Sequence, residues 1–353
     1  IQRLGLQQYV KCIPGMRFLV SGRGATANVL VYPVTGDTAE KLRALRAKNA
    51  SVAPDVFLAD LRKQFPNLVI QIDQPMHPLS GYLAPIPFND RFKRYDEANV
   101  PPPDFHALQV LNGKLLGEFY DVLARYFDLE IKRTRSSEPA PALTPLGSSM
   151  CRLPYGTEVG YPRVYALTLH DTLETFTPGD LAQAILNQHV IVTNSLMPKL
   201  LGYAPSARTY AAGPGDVVDT GTTGALPMKI NVMASSWVSL SNFDLTWNGK
   251  TARRIQVMPV KKVLRYPVRQ QPDADVQYVY VDGDGFANLI CFSNRAPLSP
   301  IVPPAPPDFG GDVFPLAWTG PIFVDQNRDG RIRIEDKETT HTAGQGGSPS
   351  AGP

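Results

Sequence analysis

The chain has 353 residues, and its 35 Lys and Arg nearly balance 32 Asp and Glu, which leaves a net charge of +3. So small a charge gives no indication of a nucleic-acid or membrane-surface partner, and 43% hydrophobic residues are too many for a wholly disordered chain. No apolar stretch approaches the ~18 residues of a transmembrane helix, so no transmembrane segment is predicted.

The chain starts at Ile1, with neither Met nor a signal peptide, inside a helix-like pattern. We therefore expect a processed or trimmed piece of a longer precursor. Its three cysteines, Cys12, Cys151 and Cys291, are too few for a disulfide framework and too far apart for a zinc knuckle. The 34 prolines and 28 glycines indicate many loops and edge strands.

The first part of the chain alternates between strand and helix patterns. Residues 17–20 and 28–32 are predicted strands, a helix covers about 55–65, and 68–72 is a buried-type strand. A strand, a helix and a strand at this spacing predict a parallel α/β unit. Val56, Leu58, Leu61 and Phe65 are expected on the buried side of the helix.

The same alternation continues to about residue 192. Further strands are predicted at 107–111, 162–169 and 190–192, and further helices at 114–127 and from Thr177 to about residue 188. Thr177 is placed to cap its helix, with Pro178 in the first turn. The polar, proline-rich residues 133–145 are predicted to be a loop.

After residue 205 the pattern becomes that of antiparallel strands. Apolar residues alternate with polar ones in three segments: Met228, Ile230 and Val232; Phe243, Leu245 and Trp247; Val276, Tyr278 and Tyr280. Asn248-Gly249 is a typical hairpin turn, and Asp282-Gly-Asp284-Gly285 is interpreted as another. The region is therefore predicted to be mostly β.

The sequence was searched for nucleotide-binding and hydrolytic metal motifs, and neither kind is supported. Gly22-Arg-Gly24-Ala-Thr-Ala27 matches a dinucleotide fingerprint, but a β-branched segment ending in Pro33 follows instead of the required helix, so a loop is predicted. The five histidines include no His-x-His and no pair at i, i+4, so no hydrolytic metal site and no transition-metal cluster are expected. The histidines are His77, His106, His170, His189 and His341.

One metal motif has good spacing. Residues 325–336 follow a calcium loop, with oxygen ligands at positions 1, 3 and 5, a glycine at 6, a backbone carbonyl at 7 and a carboxylate at 12. The predicted ligands are Asp325, Asn327, Asp329, Arg331 through its carbonyl, and Asp336. Asp replaces the usual Glu at position 12, and nearby arginines weaken the local field. A calcium site and a solvated turn without metal both stay open.

Several segments, taken in order, resemble the PHP-domain (polymerase-and-histidinol-phosphatase) metallohydrolases, in their CehA/McbA-like secreted branch. The matching segments are Ile13-Pro-Gly15, 28–33, 68–75, Gly81-Tyr82, 105–113, 160–165, 192–195, Trp237, 247–249 and 317–325. The resemblance covers about residues 10–330. It implies a distorted β/α barrel whose members usually hold two or three metal ions and cleave phosphate esters.

The family's ligand motifs are not matched in this chain. The His-x-His and Asp-His motifs would lie before Ile1, and the remaining ligand positions carry other residues. By the resemblance, those positions are occupied by Arg17, Thr26, Gln74, Met150 and Arg152. Arginine has no lone pair to donate to a metal, so Arg17 and Arg152 are expected either to form ion pairs or to bind an anion in a relic pocket.

The sequence thus predicts an α/β protein with a partial, distorted PHP/TIM-like barrel followed by a mostly antiparallel β region. The predicted divisions are the barrel portion at 1–205, the β-rich region at 206–300, a Pro/Gly linker with the last strand and calcium-like loop at 301–337, and a disordered tail at 338–353.

The predicted function is that of a catalytically inactive PHP-like pseudoenzyme, periplasmic or secreted, that serves as a structural or interaction subunit. Its expected partner is the N-terminal fragment of the same precursor, or another assembly subunit, because an incomplete barrel would leave sheet edges open. The alternatives are a metal-dependent phosphoesterase using Asp73 and His77 with ligands from the missing half, and a calcium-stabilised binding module.

Overall fold

The computed structural model describes residues 10–22, 24–101, 104–113, 117–135, 142–149, 160–170, 172–220, 224–235, 237–256, 276–293, 296–299, 302 and 311–334. Four α-helices lie in this part of the chain: α1 (Gly36–Lys48), α2 (Pro54–Gln64), α3 (Phe119–Arg135) and α4 (Pro178–Leu186). Among them, no helix has both the length and the hydrophobicity needed to cross a membrane.

Five strands form the first sheet, in chain order from one edge to the other. They are β1 (Met16–Gly22), β2 (Ala25–Tyr32), β3 (Val69–Asp73), β4 (Ala107–Asn112) and β5 (Thr144–Ser148). Strands β1, β2 and β3 are antiparallel, whereas β3, β4 and β5 are parallel. Within the described residues this sheet has two edges and does not close into a barrel. The fold is mixed α/β, as predicted, and the partial barrel stays a prediction.

The predicted parallel pairing of residues 28–32 with 68–72 is wrong. Asn28 faces Asp73 and Tyr32 faces Val69, which makes the pair antiparallel. The reason is α1, which the sequence analysis missed. Two helices instead of one separate β2 from β3, so the chain returns to the sheet from the end at which it left.

Helices α1, α2 and α3 pack on one face of this sheet and enclose the first core. The side chains of α2 that are buried there are Pro54, Phe57, Leu58 and Leu61, whereas Val56 is 40% exposed, against expectation. On the opposite face, α4 packs against a smaller apolar cluster that includes Val69 and Ala107. The capping box predicted at Thr177 is present, with Asp180 as its reciprocal partner.

Helix α3 lies later in the chain than predicted. It begins at Phe119 and ends at Arg135, while residues 114–116 are outside the described part. Its polar last turn is held by tertiary contacts: Arg133 donates to the Phe105 carbonyl at 2.8 Å, and Lys132 donates to the Tyr95 carbonyl. These contacts explain why residues 133–135 are helical although their composition is typical of a loop.

The remaining strands form two further sheets. They are β6 (Arg163–Ala166), β7 (Val190–Thr193), β8 (Met197–Ala204), β9 (Thr209–Ala212), β10 (Val217–Val218), β11 (Ala225–Met233), β12 (Asn242–Trp247), β13 (Lys250–Gln256), β14 (Gln277–Tyr280), β15 (Gly285–Phe292), β16 (Leu316–Thr319) and β17 (Ile322–Val324). The order β10-β17-β15-β16-β7-β6 forms the second sheet, which β12 and β13 extend from β15, and β14-β11-β8-β9 form the third.

The second and third sheets share one apolar core, to which β11, β12 and β15 contribute buried alternate residues. The mostly antiparallel character predicted after residue 205 is confirmed: the described strand pairs there are antiparallel except for β10 and β17, which are parallel. In β14 the wrong side of the strand was predicted to be buried. Tyr278 and Tyr280 are 49% and 82% exposed, while Gln277 and Val279 are buried. Residues 338–353, predicted as a disordered tail, lie outside the described residues.

A buried ion pair on α3 predicts a measurable stability difference. Asp128 and Lys132 are 3.4 Å apart with side chains 9% exposed, and Asp128 also accepts from the Tyr95 N–H at 2.8 Å. Burial outweighs the effect of Lys132 and raises the pKa of Asp128, so the net gain from the pair is modest. Asp128→Asn keeps the acceptor for the Tyr95 N–H but leaves the buried Lys132 ammonium without this partner, and should lower the unfolding free energy by about 1–2 kcal/mol.

Urea unfolding checks this value against Asp90→Asn. Asp90 pairs with Lys93 at 3.4 Å, but the two side chains are 76% and 58% exposed. An exposed pair of this kind should contribute less than about 0.5 kcal/mol. Equal losses of unfolding free energy in Asp128→Asn and Asp90→Asn would show that burial does not determine how much the Asp128–Lys132 pair contributes to stability.

Candidate functional site

The first candidate site is a polar group on the first sheet, here called the Arg17 cluster: Arg17, Asp73, Gln74 and Gln109. Asp73 ends β3, Gln74 follows in a left-handed conformation (φ 48°), and Gln109 lies on the neighbouring β4. The Arg17 guanidinium, reaching from β1, lies 3.2 Å from an Asp73 carboxylate oxygen and donates to the Gln74 side-chain oxygen at 3.2 Å. The Gln74 N–H donates to Gln109 Oε1 at 2.6 Å.

His77 belongs to a separate network beside this cluster. Its Nδ1 accepts from the Leu79 N–H at 3.2 Å and lies 3.0 Å from Ser80 Oγ. Asn28 also donates to Ser80 Oγ, at 2.8 Å. Asp73 and His77, the two residues of the enzyme alternative, are therefore engaged with different partners.

Glu118 and Asn112 complete this region, and the sequence analysis missed both. Burial raises the pKa of Glu118, an effect that a hydrogen bond from Asn112 and the charge of His77 oppose. Among the described residues, Asn112 Oδ1 and Gln109 Nε2 are buried without a hydrogen-bond partner. The Asn112-Gly113 pair at the end of the buried strand β4 was a signal that could have pointed to this region.

These residues do not fit the metal cluster that the PHP resemblance implies. A divalent cluster needs anionic or imidazole ligands, and the position of Arg17 holds a permanent cation instead. In the described residues, Asp73, His77 and Glu118 do not form a set of three ligand atoms within 4.8 Å of one another. Residues 150–152, which include the predicted Met150 and Arg152, lie outside the described part of the chain.

The second candidate site is a group of three carboxylates, the Asp triad: Asp284, Asp325 and Asp329. One oxygen of each lies within 4.8 Å of the others. The sheet brings two of them together, because β15 and β17 are antiparallel with Gly285 opposite Val324. Asp284 directly precedes Gly285 and Asp325 directly follows Val324, so the two carboxylates meet at the same end of the strand pair.

The loop after β17 returns Asp329 to this point. Arg328 and Gly330 have φ values of 62° and 76°, which turn the chain tightly around Asp325. The Gly330 N–H donates to Asp325 Oδ2 at 2.8 Å, and the Asp329 N–H donates to Asn327 Oδ1 at 2.9 Å. These bonds are the internal ones that a calcium-type loop uses to point its oxygens inward.

The other two acids are also held by backbone groups. The Gln326 N–H donates to Asp284 Oδ1 at 2.9 Å, and the Arg331 N–H donates to Asp329 Oδ1 at 2.8 Å. In contrast, Asp325 Oδ1 is buried without a hydrogen-bond partner among the described residues, and Asp325 as a whole is only 7% exposed.

The structure brings together Asp325 and Asp329 of the predicted calcium ligands, with Asn327 oriented in the same loop, whereas Asp336 lies outside the described residues. The third carboxylate is Asp284, whose turn was wrongly interpreted as a hairpin. Strands β14 and β15 belong to different sheets, so that turn connects sheets instead of neighbouring strands.

One of the arginines expected to weaken the field of the loop, Arg328, is paired with an acid outside the triad. The Arg328 guanidinium lies 2.6 Å from an Asp219 carboxylate oxygen, and that ion pair directs its charge to another acid. Arg333 contributes its backbone N–H to Asp284 Oδ2 at 3.2 Å. A groove of about 1330 Å³ borders the triad, and its walls include Tyr120, Trp247, Asp284 and Asn327.

Comparisons of this chain with protein-family models, with curated protein sequences and with solved structures found no match. Both candidate sites therefore have to be interpreted from their own chemistry.

Proposed function

We propose that this chain is a PHP-like protein without hydrolytic activity that serves as a structural or interaction subunit. The observation that carries the proposal is the contact of Arg17 with Asp73 and Gln74, each at 3.2 Å. A guanidinium is never deprotonated in proteins and has no lone pair. At this position it neutralises the one carboxylate of the cluster and would repel a divalent ion.

The geometry of the first sheet supports a partial barrel as part of this proposal. Strands β3, β4 and β5 are parallel neighbours, as in a β/α barrel, and polar side chains such as Gln71, Asp73 and Gln109 lie along them. Three of the four helices cover the other face. In our interpretation this polar face corresponds to the interior of a barrel. Its side chains Gln71, Asp73 and Gln109 are buried, and α4 covers the same face near Val69 and Ala107.

The first strand supports a protein partner. Within the described residues β1 pairs with β2 alone, so its other edge is at the border of the sheet. Leu19 in its middle is 56% exposed, although its carbonyl accepts from Arg46 at 3.2 Å. Open strand edges favour pairing with another chain. We propose the N-terminal fragment of the same precursor, or another subunit of a periplasmic or secreted assembly, as the partner.

The alternative is a metal-dependent phosphoesterase. The proximity of Glu118 to His77, with a raised pKa at Glu118, favours it, since an acid with a raised pKa beside an imidazole is common in catalytic sites. Asp73 and His77 would then act with ligands from another chain.

Native mass spectrometry of the purified assembly, combined with a phosphodiesterase assay in added Mn²⁺ or Zn²⁺, separates these functions. We expect a companion chain, no bound transition metal, and hydrolysis of a nitrophenyl phosphodiester at the rate of buffer alone. Two or more transition-metal ions per chain, or hydrolysis that Asp73→Asn abolishes and Asp90→Asn retains, would establish the enzyme instead.

A further inference from the structure

We propose that the Asp triad is a calcium site in which Asp284 supplies a carboxylate from outside the loop of residues 325–330. The site would then join two segments that are 41 residues apart in the chain, Asp284 and Asp325. The Asp triad lies beside the second sheet, whereas the Arg17 cluster lies on the first sheet. Metal binding at the triad therefore does not depend on the proposed function.

The strongest evidence is the unpaired oxygen of Asp325. A buried carboxylate oxygen without a hydrogen bond or a cation is costly, yet Asp325 Oδ1 has neither among the described residues. One carboxylate oxygen from each of Asp284, Asp325 and Asp329 lies within 4.8 Å of the other two. Three acids this close repel one another unless a cation lies between them.

The chemistry of the donors selects the ion. The group offers oxygen donors alone, which are the ligands of hard cations. The loop is small and irregular, and its acids come from two separate segments, which suits the variable geometry of Ca²⁺ better than the strict octahedron of Mg²⁺. Three carboxylates with backbone or water oxygens would complete the six or more ligands that Ca²⁺ takes.

The position of the site gives it a structural role. Asp284 precedes β15, which lies inside the second sheet, and Asp325 follows β17, which pairs with β15. Asp284, Asn327 and Trp247 also line the groove beside α3. Calcium would therefore hold the two loops together and fix one wall of this groove.

Terbium luminescence and thermal unfolding test the proposal on the full chain. The Trp247 indole donates to Asp282 Oδ1 at 3.3 Å, two residues from Asp284, so light absorbed by Trp247 should sensitise a bound Tb³⁺. We expect sensitised emission from bound Tb³⁺. Added Ca²⁺ should displace the Tb³⁺ and abolish this emission, whereas Mg²⁺ should not. At about 100-fold excess over its dissociation constant, Ca²⁺ should raise the unfolding temperature by about 3–6 °C relative to chelator.

Variants of single acids decide the outcome. Asp325→Asn and Asp284→Asn should lose at least ten-fold in Ca²⁺ affinity, whereas Asp282→Asn, in the same turn but outside the triad, should bind as the native protein does. If Asp325→Asn fails to fold, Asp329→Asn takes its place because Asp329 is exposed. An unchanged response to Ca²⁺ in the triad variants, or no response in the native chain, overturns the proposal.

Discussion

Replacing Trp318 by alanine is expected to lower the free energy of unfolding by about 3–5 kcal/mol, because it removes a fully buried aromatic ring. Trp318 lies on β16, inside the second sheet, and its ring packs against α3 beside the first sheet. Its ring centroid is 4.6 Å from that of Tyr126, 5.7 Å from that of Phe127 and 6.2 Å from that of Phe119. The substitution would open a cavity between the second sheet and helix α3.

Denaturant unfolding followed by circular dichroism measures this loss. Trp237→Ala is the matched control, since Trp237 is 42% exposed, and we expect a loss within about 0.5 kcal/mol. Trp318→Phe should cost less than half as much as alanine, because Trp318 Nε1 has no hydrogen-bond partner among the described residues. Similar losses for Trp318→Ala and Trp237→Ala would contradict the interpretation of Trp318 as the link between α3 and the second sheet.

The second large effect concerns the buried acid Glu130 on α3, which is 2% exposed. Burial raises its pKa from 4.5 to about 7, although Arg133 and hydrogen bonds from Gln188 and Leu143 oppose the rise. Between these two pH values the folded protein keeps a proton that the unfolded chain has lost. Stability therefore falls as pH rises from about 4.5 to about 7, by an amount on the order of 3 kcal/mol.

Comparison with Glu130→Gln isolates this effect. His106, whose pKa burial and the nearby Arg133 and Arg62 lower to about 4, has the opposite pH dependence below pH 6.5, so the native profile alone would conceal it. Glutamine does not titrate, and the variant should gain about 3 kcal/mol relative to the native protein between pH 5 and pH 8. The exposed Glu40→Gln should show no such trend. A flat difference for Glu130→Gln would mean that Glu130 is ionised at pH 5.

The pattern of apolar residues predicted most elements but not how they pair. Strand β1 and helix α2 were found because apolar residues recur on one side, whereas β3 and β4 were found as short apolar runs that are buried throughout. Helix α1 was missed because only Leu42 and Leu45 are buried along its 13 residues, which leaves too weak a pattern. That omission alone reversed the predicted direction of β3 relative to β2.

In β14 the apolar period was real but misleading. Tyr278 and Tyr280 alternate as a buried pair would, yet the register with β11 places Val279 opposite Leu226 and leaves both tyrosines outward. An aromatic ring with a hydroxyl group suits either side of a sheet, so the sequence could not choose between them. The pairing with β11, a strand about fifty residues earlier in the chain, determines which side of β14 is buried.

The candidate calcium site was half predictable. The spacing of Asp325, Asn327 and Asp329 is local, and a local loop can be identified from the sequence. Asp284 joins them only through the pairing of β15 with β17, which no spacing within residues 325–336 reveals. The Arg17 cluster could be inferred through the family resemblance alone, because Arg17, Asp73 and Gln109 come from three separate strands.

The order of strands in the second sheet constrains how the polypeptide acquires its shape during synthesis. Val192 of β7 lies opposite Trp318 of β16, and β7 has β6 as its only other neighbour in that sheet among the described residues. A nascent chain that ends before residue 316 would thus expose β7 and the aromatic face of α3 to the surrounding solution. Chaperone engagement during translation would be most valuable in that interval, since such surfaces aggregate readily.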